Sequence, residues 1–220
     1  MKVTVRLFAI LRDRAGAGEV HLELADGARA DDALAAMSEL VGEVPVMLAI
    51  NRRYARGSDP LSEGDELALI PPVSGGERES DPDDLVSVTL TDRPLSSDSL
   101  LAVVRDPRAG AVVLFAGVTR EVERLEYEAY AEMAVERMDA IARTAHARHD
   151  LCRVAVAHRT GSVPLSEPSV LVAASAPHRG EAFAGAREII DAVKAQAPIW
   201  KREIGAAGGS WVAGTQPDPG

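Results

Sequence analysis

The segment PPVSGGERESDPDD breaks the strand and helix patterns found on either side of it and divides the chain in two. Its prolines cannot continue a strand ladder, and Gly75 and Gly76 offer no side chains to pack. Residues 77–84 contain five acidic side chains and no apolar one, which is typical of a solvated linker. The sequence therefore predicts two folded domains, residues 1–76 and 85–220, joined by a flexible acidic linker.

The first domain has the element order of a β-grasp (ubiquitin-like) fold. Alternating apolar residues predict strands at residues 2–10 and 21–24, and the Ala-Gly-Ala-Gly turn between them predicts a hairpin. Helical spacing behind an acidic start predicts a helix over residues 28–41. Polar turns separate two further strands, predicted at residues 47–51 and 66–70.

The second domain is predicted to be an α+β sandwich. Helical periodicity predicts helices at residues 97–104, 131–149 and 181–197. An uninterrupted apolar run predicts a buried strand at residues 111–117, paired with a strand at residues 124–130. Further strands are predicted at residues 85–91, 154–158 and 170–176.

Composition excludes several classes of protein. A net charge of −10 without any Lys/Arg run argues against binding to nucleic acid. No stretch approaches the roughly 18 to 20 apolar residues of a membrane helix, and the N-terminus is charged, so we expect a soluble, cytoplasmic protein. The single cysteine, Cys152, cannot form an internal disulfide, and without clustered histidines we predict no metal site and a buried thiol.

Lysine is rare in this chain, because only Lys2, Lys194 and Lys201 are lysine among 24 basic residues. Arginine keeps its proton, whereas lysine can act as a proton donor or nucleophile. Two lysines seven residues apart, around the predicted helix end at Pro198, therefore indicate a chemical role. Chance placement on a solvated helix end explains the spacing equally well.

Two predicted strands end in the same dipeptide. For His158-Arg159 we favour a structural role, in which the side chains bind backbone carbonyls. His178-Arg179 immediately precedes a helix, whose N-terminus adds partial positive charge for an anion. Arg120 follows the apolar run and is a further candidate.

Five cations, namely Arg120, His178, Arg179, Lys194 and Lys201, are thus predicted to form one pocket for phosphate and carboxylate oxygens. The alternative is an arginine-rich surface that pairs with nearby glutamates. A bare diglycine is also more often a turn than a functional terminus. Gly75-Gly76, however, closes a β-grasp pattern through an extended tail, and side chains there would clash in a narrow active site.

These residues resemble the molybdopterin synthase family. The first domain is similar to the small, sulfur-carrying subunit through LFAILRDRAG and PPVSGG. The second is similar to the large catalytic subunit through GAVVLFAGVTR, LEYEAYAEMA, AHRTGSV, SAPHRGEAF and VKAQAPIWKRE. The resemblance implies an α/β-hammerhead-like α+β fold for the second domain and a homodimer formed through it.

The resemblance also implies a reaction. A cyclic pyranopterin monophosphate receives two sulfur atoms, delivered as thiocarboxylate on the last glycine of the carrier, and the molybdopterin dithiolene results. Lys194 and Lys201 match the essential lysines of the family, and Arg120, His178 and Arg179 match its pterin-phosphate ligands. The substrate is a small molecule, no cofactor is permanently bound, and an adenylating and sulfurating enzyme would act on the carrier glycine.

Two departures from the family accompany the resemblance. The connection after Arg120 is only EVER, which is shorter than usual, and Gly214 and Thr215 stand where the family often has an arginine. Gly76 is also followed by Glu77, whereas a thiocarboxylate requires a free carboxyl terminus. We therefore predict cleavage after Gly76, and the alternative is an uncut, non-catalytic carrier and pterin-binding protein.

Overall fold

The computed structural model describes residues 1–71, 85–205 and 208–212. These residues form two compact units, the first ending at residue 71 and the second beginning at residue 85. The predicted linker 77–84, the diglycine and the tail beyond residue 212 lie outside the described residues.

The first unit is a five-stranded mixed sheet with the order β2-β1-β5-β3-β4. The two central strands, β1 and β5, run parallel, and the outer pairings are antiparallel. This is the predicted β-grasp fold. Its elements are β1 (Lys2–Leu7), α1 (Ala9–Ala15), β2 (Glu19–Glu23), α2 (Ala30–Ala36), α3 (Ser38–Val41), β3 (Met47–Ile50), β4 (Arg53–Ala55) and β5 (Glu66–Ile70).

Two local predictions in this unit are wrong. The sequence predicts a strand that runs to residue 10, but β1 ends at Leu7 and the chain then forms helix α1, whose C-cap residue is Gly16 with φ of 67°. The helix buries Leu11 completely, and the β1–β2 connection is therefore a helix instead of a tight turn. The predicted helix 28–41 is two helices that meet at Met37.

The second unit contains two four-stranded sheets, with the orders β6-β9-β11-β7 and β10-β8-β12-β13. Its α+β composition is as predicted. Its elements are β6 (Val86–Thr91), α4 (Ser97–Val103), β7 (Ala111–Val118), β8 (Arg124–Ala129), α5 (Ala131–Arg148), β9 (Arg153–Arg159), β10 (Gly161–Pro164), β11 (Pro168–Ala176), α6 (Arg179–Gln196), β12 (Ile199–Gly205) and β13 (Gly208–Trp211).

The prediction for β7 is wrong in two respects. The strand is expected to be buried, but β7 is an edge strand of its sheet. Val112 is 46% exposed and Val118 is 51% exposed. The strand pairs with β11, whereas β8, its predicted partner, belongs to the other sheet. An apolar run indicates a strand but does not reveal whether one or both of its faces are covered.

The core of this unit lies between the first sheet and helices α5 and α6. Met138 of α5 and Ile189 of α6 are completely buried there. Gly185 of α6 lies so close to Leu151 that a Cβ atom would come within 2.7 Å of Leu151 Cδ1. Cys152 is buried, as predicted.

No helix in the described part of the chain is long and apolar enough to cross a membrane.

Candidate active site

Lys194 lies in the last turn of α6, where its side chain is exposed to solvent. Its Nζ atom lies 5.7 Å from the centroid of the Phe115 ring, on β7. A cation over an aromatic face at this distance is attracted by the negative face of the ring. Phe115 therefore holds the Lys194 ammonium group over the edge of the first sheet.

Lys201 lies on β12, directly opposite Tyr127 of β8. Directly opposed residues of an antiparallel pair point to the same face, so Lys201 and Tyr127 share one face of the second sheet. The Tyr127 ring makes an edge-to-face contact with His158 of β9, with ring centroids 5.1 Å apart. The Lys194 charge in turn acts on His158. Lys194, on a helix packed against the first sheet, and Lys201, on a strand of the second sheet, thus both lie near the Tyr127–His158 pair.

His158 and Arg159 are buried, with 6% and 7% exposure. The Nδ1 atom of His158 lies 3.0 Å from the Arg159 carbonyl oxygen, to which it donates, and Arg159 forms an ion pair with Glu167. Burial lowers the pKa of His158 to about 4, with the Lys194 charge acting in the same direction and the hydrogen bond opposing. The imidazole is therefore neutral at pH 7, in keeping with the structural role favoured for this pair.

Arg120 is exposed and follows the carboxyl end of β7. The preceding residue, Thr119, is buried, and its amide donates to the Glu167 carbonyl oxygen just before β11. Arg120 therefore lies at the end of the first sheet where β11 begins. Gly117 of β7 is aligned with Val170 of β11 at this end, and Val170 is aligned with His158.

His178 and Arg179 lie at the opposite end of α6 from Lys194. His178 is the N-cap residue of that helix and Arg179 its first residue, and both are exposed. The fifteen-residue separation of Arg179 from Lys194 corresponds to about 22 Å of helix rise. A single pocket built from all five cations is therefore not formed within one chain. Helix α6 instead separates His178 and Arg179, at its start, from Lys194, in its last turn.

A close backbone contact holds the His178-Arg179 segment in place. The Gly110 amide donates to the Ala176 carbonyl oxygen, and a Cβ atom on Gly110 would lie only 2.4 Å from the Pro177 carbonyl oxygen. Only glycine allows the two chain segments to approach this closely. Gly110 thereby positions the start of α6.

The five predicted cations have no acidic side-chain partners in the described part of the protein. Within residues 1–71, 85–205 and 208–212, none of them forms an ion pair within 4.0 Å or a side-chain hydrogen bond. Other basic residues are neutralised, as Arg148 is by Glu188. The alternative of an arginine surface paired with glutamates therefore does not describe these five positions.

Some predicted features fall outside what the structure describes. Gly75, Gly76, Gly214 and Thr215 all lie beyond the described residues. In the described ranges, no three His, Cys, Asp or Glu side chains are grouped closely enough to hold a metal ion. The short connection after Arg120 is described, and Glu121 adopts a positive φ of 65° within it.

Sequence reasoning did not identify Phe115, Tyr127 or Ser169 as parts of the site. Phe115 looked like an ordinary member of an apolar run, and Tyr127 like one residue of a strand. The hydrogen-bond partner of Tyr127 is Ser169, 42 residues away in the chain. No local pattern could have connected the two residues.

Comparison with known families matches both halves of the chain. The ThiS family matches residues 5–76, and the MoaE protein family matches residues 90–196. The two matches follow each other in the order of the two units.

Individual relatives match the second half. The molybdopterin synthase catalytic subunit 1 of Mycobacterium tuberculosis is 43% identical over 129 residues, covering 56% of this chain and 88% of that protein. The molybdopterin synthase catalytic subunit of Coccidioides immitis is 43% identical over 144 residues, covering 61% of this chain and 74% of that protein. The crystal structure of molybdopterin synthase from Staphylococcus aureus is 32% identical, with a TM-score of 0.54, covering 56% of this chain and 94% of that one.

Proposed function

Because the chain belongs to the molybdopterin synthase family, as a ThiS-type carrier domain fused to a MoaE-type catalytic domain, we propose that it makes the molybdopterin dithiolene by sulfur transfer. The chain is an enzyme of molybdopterin biosynthesis. In the proposed reaction, two carrier thiocarboxylates act in turn on a cyclic pyranopterin monophosphate, and each one donates a single sulfur atom and takes up one oxygen atom from the substrate or from water. The carrier returns as an ordinary carboxylate.

The observation that carries this proposal is the placement of two lysines that have no acidic side-chain partner among the described residues and that lie near aromatic side chains. Lys194 lies over Phe115, and Lys201 shares a sheet face with Tyr127. A lysine without a carboxylate partner can donate a proton as the ammonium ion or form a covalent bond as the free amine, and a second ammonium ion can hold a carboxylate-like group. We assign the proton-transfer or covalent role to Lys194 and the positioning of the thiocarboxylate to Lys201.

The remaining three cations are proposed to bind the phosphate of the substrate. Arg120 follows β7 at the sheet end where β11 begins, whereas His178 and Arg179 lie at the opposite end of α6 from Lys194, about 22 Å away along the helix. All five can act on one substrate only if a second copy of the chain contributes its helix N-terminus. We therefore propose a homodimer in which His178 and Arg179 of one copy complete the site of the other.

A fused carrier requires processing before it can donate sulfur. Gly76 is amide-bonded to Glu77 in the chain, and a thiocarboxylate forms only on a free carboxyl group. We propose cleavage after Gly76, followed by the action of an adenylating and sulfurating enzyme on the new terminus. The proposal includes no resident metal or cofactor, and it places the reaction in the cytoplasm.

Intact mass after expression in a host with the sulfurating machinery tests the processing step. A fragment ending at Gly76, heavier by one oxygen-to-sulfur exchange than the plain carboxylate, is expected. A chain that stays uncut and gains no sulfur would support the alternative, a carrier and pterin-binding protein without catalysis.

The variant Lys194→Ala tests the catalytic step when the pterin and a thiocarboxylated carrier are supplied separately. Loss of a positioned proton donor is expected to lower the rate of dithiolene formation by about 100-fold or more. Arg187→Ala is the matched control, since Arg187 lies on the same helix with 84% side-chain exposure. Full activity of Lys194→Ala would remove Lys194 from the mechanism.

A further inference from the structure

The hydroxyl group of Tyr127 joins the two sheets of the second unit, residues 85–212, which is the catalytic unit of the proposed function. It lies 3.0 Å from Ser169 Oγ, and Ser169 Oγ lies 3.3 Å from the Gly117 carbonyl oxygen. The carbonyl can only accept, so Ser169 donates to it and accepts from Tyr127. Tyr127 lies on β8 of the second sheet, whereas Ser169 and Gly117 lie on β11 and β7 of the first.

The chain geometry around Ser169 is suited to this contact. The β11–β7 pairing shifts register between Pro168 and Val170, which leaves Ser169 as the extra residue. Such an irregularity redirects a side chain out of the normal alternation. Burial raises the pKa of Tyr127, against the opposing effect of the Ser169 hydrogen bond, so the phenol keeps its proton at neutral pH.

Each end of this hydrogen-bonded chain is next to one of the lysines. Tyr127 is directly opposite Lys201. Gly117 lies under the Phe115 ring, because a Cβ atom on it would come within 3.4 Å of Phe115 Cε1. That ring is the one beneath the Lys194 ammonium group.

We propose that Tyr127 is a positioning residue that fixes the separation of Lys201 from Lys194 through its hydrogen bond to Ser169. The assignment rests on the proposed function, in which the two lysines act on one reacting group. Lys201 lies on a strand of the second sheet, and Lys194 lies on a helix that packs against the first sheet. The distance between the two lysines therefore depends on how firmly the two sheets are joined. A misplacement of about 1 Å can lower a catalytic rate by roughly 100-fold.

The variant Tyr127→Phe tests this assignment because it removes only the hydroxyl group. In the assay with separately supplied thiocarboxylated carrier, we expect kcat to fall roughly 10-fold while KM for the pterin stays unchanged. Tyr130→Phe is the matched control: it removes a phenol hydroxyl from a buried tyrosine three residues away. An unchanged kcat in Tyr127→Phe, or an equal loss in Tyr130→Phe, would overturn the proposal.

The double variant Tyr127→Phe/Ser169→Ala separates positioning from general loss of stability. If both residues act through one hydrogen bond, the double variant should lose no more activity than Tyr127→Phe alone. Losses that multiply would show that the two hydroxyl groups act independently and would contradict the proposal.

A measurement without turnover keeps this inference distinct from the proposed function. Lys2, Lys194 and Lys201 are the only lysines, so a short lysine-specific cross-linker reports the Lys194–Lys201 spacing with little ambiguity. We expect the cross-link yield, measured by mass spectrometry, to change in Tyr127→Phe and to stay the same in Tyr130→Phe. Absence of product from the unmodified protein would refute the proposed function, whereas an unaltered cross-link yield in Tyr127→Phe would refute the positioning role.

Discussion

At the scale of single residues, the two His-Arg pairs show how tertiary position changes the chemistry of one dipeptide. His158 lies within a sheet and is 6% exposed, so its imidazole is held neutral. His178 lies at the start of α6, where it is exposed to solvent. Burial in a medium of low polarity disfavours the charged imidazole, whereas a helix N-terminus favours bound anions.

The low pKa of His158 predicts a stability that decreases in acid. Between the ordinary pKa of 6.5 and the folded value of about 4, the unfolded chain binds a proton that the folded chain does not. The free energy of unfolding should therefore fall as the pH drops from 6.5 toward 4, by at most about 1.4 kcal/mol per pH unit from this group.

The variant His158→Asn should flatten that dependence, because its amide can donate to the Arg159 carbonyl and does not titrate. Both tryptophans, Trp200 and Trp211, lie in the catalytic unit, so their fluorescence follows its thermal unfolding. If the thermal unfolding midpoints of the variant and of the unmodified protein fall in parallel as the pH is lowered, other groups cause the pH dependence.

At the scale of elements, helix α6 determines which cations can act together. Its eighteen residues carry Arg179 at one end and Lys194 near the other. The helix packs against β11 and β7, which positions it on the first sheet. Gly185 allows the close packing against Leu151 that holds the helix in this position.

Two glycines of α6 should respond in opposite ways to replacement by alanine. Gly180→Ala meets no atom within 4 Å, so its better helix propensity should raise the free energy of unfolding by about 0.5–1 kcal/mol. Gly185→Ala places a Cβ atom 2.7 Å from Leu151 Cδ1 and should lower the free energy of unfolding by about 1–3 kcal/mol. Denaturant unfolding followed by tryptophan fluorescence measures both, and a stabilising Gly185→Ala would contradict the packing described for α6.

At the scale of the whole molecule, one chain contains a unit of the ThiS family and a unit of the MoaE protein family, and the candidate cations of the second unit form two separate groups. Lys194 and Lys201 form one group near Tyr127 and His158, and His178 and Arg179 form the other at the start of α6. Association through a two-fold axis can bring the second group of one copy to the first group of its partner, because such an axis makes the contribution reciprocal.

Mixing two inactive variants tests this arrangement. Lys194→Ala and His178→Ala/Arg179→Ala should each be inactive, and mixed dimers should contain one wholly intact site. Equal co-expression is then expected to recover about a quarter of normal activity, since half of the dimers are mixed and each has one of two sites intact. No recovery, despite mixed dimers demonstrated by differently tagged copies, would show that Lys194, His178 and Arg179 act within one copy. An active His178→Ala/Arg179→Ala variant would show that those two residues are not required.

The sequence by itself determined the β-grasp and α+β fold classes, most element positions and the family, because these depend on local periodicity and on motifs that are contiguous in the chain. It also singled out Lys194 and Lys201 by their rarity. Tertiary structure alone decided that β7 is an edge strand and that α6 keeps Arg179 far from Lys194. It also revealed the contact between Tyr127 and Ser169, which depends on sheet pairing between residues far apart in the chain.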